Sequence, residues 1–112
     1  MTKKVSIAYH LEASAGSEGD VVLYTVPAAR KFKTKSIYIF FPIGNNFELQ
    51  VYVKRGEMQI APRENYYVGD GNVIEDEFIE DISSAERVIL HYKNTNSTET
   101  RECFILMRGE LE

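Results

Sequence analysis

The chain has 112 residues, 44% apolar and 27% charged, with a net charge of −4 and a pI of about 5.2. That balance predicts one folded domain spanning residues 1–112 and excludes a disordered chain. The acidic sign argues against a partner such as nucleic acid held by bulk charge.

Cys103 is the only cysteine, so no disulfide can form within the chain, and a reducing compartment is expected. Met1 to His10 carries two lysines with no apolar run behind them, unlike a secretory signal. No stretch approaches the ~18 consecutive apolar residues of a membrane span. A soluble cytoplasmic protein with no membrane partner is the expectation.

In chain order, Lys4 to Glu12 alternates, with Val5, Ile7, Tyr9 and Leu11 on one face, and reads as a half-buried strand. Ala13 to Asp20 is small and polar, a loop. Val21 to Val26 is a second strand, stopped by Pro27, which has no amide hydrogen for a ladder. Ala28 to Lys35 is a basic connector, with Arg30, Lys31, Lys33 and Lys35 around Phe32. These cations could hold a phosphate-bearing partner, but alternation makes a wet connecting strand the simpler reading.

Lys35 to Lys54 organises the rest. Two runs rich in β-branched and aromatic residues flank Gly44-Asn45-Asn46, which predicts a β-hairpin. In the second arm, Phe47, Leu49, Val51 and Val53 share a face. The first arm is apolar on both faces, with Ile37, Ile39 and Phe41 on one and Tyr38 and Phe40 on the other. Such a strand must be covered on both sides.

Short strands are then expected over 57–61 and 64–68, followed by a turn at Gly69 to Asn72. Residues 73–83 fit a strand or a helix. Strand is preferred because the neighbouring segments are strands, and its acidic residues would guard a sheet edge. Glu86 to Lys93 is a strand and Asn94 to Thr98 a turn. Glu99 to Arg108 is the last strand, and Gly109 to Glu112 a polar tail.

About eight short strands separated by turns predict an all-β, antiparallel β-sandwich, jelly-roll-like, with a small β-barrel as the alternative. Each sheet of a sandwich has one inner face. Tyr38, Phe40, Tyr24, Phe104, Leu106 and Ile89 therefore form an apolar surplus. A homo-oligomer would cover it, with Tyr38, Phe40, Phe104 and Leu106 as the interface; the alternative is a cover of loops or of the 73–83 segment.

Catalytic, metal-binding and cofactor-binding residues are not found. His10 and His91 are isolated in sequence, and the acidic 70–77 stretch breaks the EF-hand spacing. Cys103 sits in an apolar run, where a thiol behaves as a small hydrophobe. Tyr66 and Tyr67, beside the 69–72 turn, could make a carbohydrate platform, although neighbours in a strand point to opposite faces.

Leu23-Tyr-Thr-Val-Pro-Ala28, the basic stretch after it and Ser36-Ile-Tyr-Ile resemble small β-sandwich virion modules of phages and prophages. Those modules also tend to close on a hairpin with an Asn-Thr turn, as in Tyr92-Lys-Asn-Thr-Asn96. Ala29-Arg30 stands where they usually carry Gly-Lys. The resemblance implies a non-enzymatic structural role in a head, tail or decoration layer, in contact with other structural proteins and located in a virion. A ligand-binding β-sandwich, with carbohydrate as the leading ligand class, is the alternative function.

Overall fold

The computed structural model describes residues 2–112. In chain order its strands are β1 (Lys3–Ala13), β2 (Glu18–Thr25), β3 (Phe32–Phe41), β4 (Leu49–Arg55), β5 (Met58–Ala61), β6 (Asn72–Glu77), β7 (Asp81–Ile82), β8 (Arg87–Asn94) and β9 (Arg101–Leu111). They form two antiparallel sheets. One has the order β1-β9-β3-β6 with β7 also beside β3, and the other has the order β2-β8-β4-β5. The first four strands alternate between the sheets, which is the winding of a jelly roll. The sheets remain separate, so the molecule is a β-sandwich and not a closed barrel. No helix among the described residues is long and apolar enough to cross a membrane.

Period-two alternation explains the core. Ile37, Ile39 and Phe41 of β3 and Cys103, Ile105 and Met107 of β9 point inward from one sheet. Leu49, Val51 and Val53 of β4 and Val88 and Leu90 of β8 point inward from the other. These residues form one contiguous buried cluster.

The expected central hairpin does not form. β3 and β4 lie in different sheets, and the Gly44 to Asn46 turn carries the chain across the sandwich. Asn45 turns inward and its Nδ2 donates to the Glu102 carbonyl at 2.8 Å. β9 then takes the place beside β3 that β4 was expected to fill. Phe47 falls in the crossing, with a left-handed φ of 58°, and leaves the inward row that continues from Leu49.

The closing hairpin is overturned in the same way. β8 and β9 belong to opposite sheets because Asn94 is drawn inside and donates to the Ala13 and Glu99 carbonyls at 3.0 and 2.9 Å. The expected 64–68 strand reduces to one bridge, Tyr67 to Val51. The expected polar tail is instead the end of β9, with Leu111 buried. Residues 73–83 are extended, giving β6 and β7.

Candidate functional site

β9 is the centre of the outer face of the larger sheet. Its even-numbered residues point away from the core, and those from Phe104 to Glu110 have a neighbour on both sides. Phe104 lies opposite His10 of β1 and Phe40 of β3, and Phe40 lies opposite Val73 of β6. One register step along, Leu106 lies between Ala8 and Tyr38. The next step places Arg108 between Ser6 and Ser36. Tyr38, Phe40, Phe104 and Leu106 are thus brought together on one surface. Phe40 and Phe104 are each 42% exposed, too much for core packing to account for them.

The 73–83 segment does not fold over this face. β6 extends the sheet at its edge, beside β3, and leaves the aromatic rows open. Tyr24, counted in the apolar surplus, turns inward: an irregularity in the β2 register between Val22 and Tyr24 lets its ring pack 4.9 Å from Phe32.

Aromatic and charged groups stiffen the patch. The His10 ring stacks on Phe104 at 4.3 Å and 7°, and the Arg108 guanidinium sits 5.2 Å from the centre of the Tyr38 ring. The two ends along the strands differ in charge. At one end stand Glu12 and Glu102, with His10 Nε2 2.8 Å from a Glu102 oxygen. At the other, Arg108, Lys4, Lys33 and Lys35 surround Glu110. The Lys35 ammonium donates to Glu110 at 2.7 Å, and this hydrogen bond, with the charges of Lys35, Lys4 and Lys33, holds the Glu110 carboxyl below the usual carboxylate range. A groove of about 440 Å³ opens there, lined in part by Lys33, Lys35, Tyr38, Glu77, Ile79 and Arg108.

His10, Glu12 and Glu102 offer ligand-type atoms within 4.8 Å of one another, so they are the set that could hold a metal ion. Sequence reading missed this set because it forms only through the pairing of β1 with β9. Two of its members, His10 and Glu102, already lie within hydrogen-bonding distance of each other, and His10 is stacked on Phe104.

The outer face of the smaller sheet mixes polar groups with Ile89 of the apolar surplus, which pairs with Val22, itself 48% exposed. His91 places Nδ1 2.7 Å from Asp20 and Nε2 2.9 Å from Glu18, and its ring stacks on Tyr52 at 4.7 Å. Lys54 is buried and reaches Asp20 at 3.0 Å. Burial and the nearby charge of Glu102 push the Cys103 thiol up to about 12, which makes it a poor nucleophile.

Tyr66 and Tyr67 do not share a platform. Tyr66 is 45% exposed, whereas Tyr67 is 7% exposed and donates its hydroxyl to Asp76 at 2.6 Å. The Tyr67–Val51 bridge turns that ring inward, and with it goes half of the expected carbohydrate surface.

No protein-family model matches the chain, and no curated protein sequence matches it. Solved structures do share its shape. A chain in the acidic stable capsid structure of Helicobacter pylori bacteriophage KHP30 aligns at a TM-score of 0.54 and 16% identity, over 100% of this chain and 99% of that one. The two chains share a fold. A chain in the capsid asymmetric unit of cyanophage Pam1 aligns at 0.53 and 7% identity, over 97% and 84%. The crystal structure of FlhE also aligns, at 0.50 and 6% identity, over 96% of both chains. At such identities the likeness concerns the fold, and it fits the virion-module resemblance in the strands around Tyr24 to Tyr38.

Proposed function

We propose that this protein is a non-enzymatic structural subunit, virion- or prophage-like, that works by assembling with copies of itself through the outer face of the larger sheet. The observation that carries this reading is the pair Phe40 and Phe104, adjacent, 42% exposed and left uncovered by the chain's own segments. Leu106 and Tyr38 continue the same apolar surface. An apolar sheet face flanked by polar residues marks a site of association. The fold shared with phage capsid chains supports a place in a virion, beside other structural proteins.

Light scattering on a sizing column, from micromolar to near-millimolar protein, tests the proposal. The wild-type chain is expected to run as an oligomer, and Phe104→Arg as a monomer with an unchanged circular dichroism spectrum. A wild-type monomer throughout that range would overturn the reading.

A further inference from the structure

We infer that the partner on this face is a second copy of the chain, turned by a two-fold axis that lies in the plane of the face and runs across the strands. The inference rests on the assembly role proposed above and specifies its geometry.

The face is polarised along its strands. Glu12 and Glu102 stand at one end, and Arg108, Lys4, Lys33 and Lys35 at the other, with the aromatic rows between. Two such faces can meet about a two-fold axis in their plane in two ways. An axis along the strands sets acid against acid and base against base. An axis across the strands sets each acidic end against a cationic end, twice over. Like-charge juxtaposition across an interface is strongly unfavourable, so only the second arrangement fits this charge distribution. A two-fold contact of this kind is self-complementary and closes after two copies.

The position of the axis follows from the apolar rows. The Phe104 and Leu106 rows are adjacent, and burying both requires the axis to pass between them. Phe104 then lies over the partner's Leu106, and Phe40 over the partner's Tyr38. Glu102, one step beyond Phe104, meets the partner's Arg108, one step beyond Leu106. Glu75 and Glu77 sit at the β6 margin of the cationic end, facing outward like Tyr38 and Ser36 beside them. The rotation sets Glu75 over the partner's Val73, so it does not oppose another Glu75.

The test is charge exchange. Glu102→Arg and Arg108→Glu each place like charges in both symmetry-related contacts. Each variant alone is expected to weaken self-association by about tenfold or more. An equimolar mixture of the two should recover it, because every contact is again between opposite charges. The double variant Glu102→Arg/Arg108→Glu should recover it within a single chain. Sedimentation equilibrium reads all four samples, with circular dichroism to check the fold.

If the single variants associate like wild type, or if the mixture and the double variant fail to recover, the geometry is overturned. Phe104→Arg and Phe40→Ser separate that failure from failure of the assembly reading. If they abolish association while charge exchange does nothing, the face is an interface but the two-fold arrangement is wrong. If they leave a wild-type oligomer intact, both readings fall.

Discussion

The Phe32 ring occupies the space that a side chain at Gly109 would need. A Cβ on Gly109 would stand 2.4 Å from Phe32 Cζ and 2.6 Å from the Lys33 carbonyl oxygen. Phe32 is fully buried at the start of β3, and Gly109 pairs with the adjacent Thr34. The glycine therefore lets β9 run to Leu111 beside β3, where composition suggested a tail.

Gly109→Ala is expected to destabilise the fold by about 1–3 kcal/mol, the usual cost of overpacking. Urea denaturation measures this as a lower midpoint at an unchanged slope. A wild-type midpoint would mean that β9 does not pack against Phe32 in this way.

Asn94 is the internal tie of the last crossing. Its Nδ2 donates to the Ala13 and Glu99 carbonyls, and its Oδ1 accepts from the Asn96 amide at 2.9 Å. Asn94→Asp keeps the shape and the acceptor but removes both donors and adds a buried charge. The expected loss is about 1–3 kcal/mol or more. Asn94→Ala, which leaves the carbonyls unpaired without adding a charge, should cost less. The reverse order in thermal melts would show that the acceptor and the shape at this position outweigh the buried charge.

Acid should weaken the fold through Asp20 and Glu48. Burial tends to raise the Asp20 carboxyl, but hydrogen bonds from His91 and Lys54, with their charges, outweigh it and leave the net shift downward. Glu48 is lowered by hydrogen bonds from Asn96 and then Arg101. For both, the unfolded chain binds protons at a higher pH than the folded one. Their stabilisation is complete above the ordinary carboxylate value, about 4, and is lost as pH falls through the lower folded values. The Lys54 ammonium is raised, mainly by its hydrogen bond to Asp20, so its contribution is lost only in strong base, as pH rises through its folded value. Asp20→Asn should flatten the acid limb of stability against pH; an unchanged limb would remove Asp20 from this role.

Phe47 holds a left-handed backbone that disfavours any side chain with a Cβ, and it is 60% exposed. Phe47→Gly is expected to stabilise the fold by about 1 kcal/mol, since glycine adopts this conformation without penalty. A fall in melting temperature would show that the ring makes packing contacts worth more than the strain.

Much of this was legible in the chain itself. Alternation over Lys4 to Glu12, Ile37 to Phe41 and Leu49 to Val53 fixed where strands lie and which residues face inward. The doubly apolar Ile37 to Phe41 run marked β3 as central, and Tyr38, Phe40, Phe104 and Leu106 as residues that β-strand periodicity could not bury. That is local information, because a period of two is set by the backbone of each strand alone.

What tertiary structure decided is which strands meet. Gly44-Asn45-Asn46 and Asn94 to Thr98 have the composition of hairpin turns, yet both cross between sheets, because Asn45 and Asn94 find carbonyl partners far away in the sequence. β1 pairs with β9 from the other end of the chain, and only that pairing places His10 on Phe104 and Glu12 near Glu102. Alternation states which face a residue takes but not which strand lies beside it. The neighbour is chosen by long-range packing and by the need to satisfy buried backbone groups, and neither is encoded in a local run of residues.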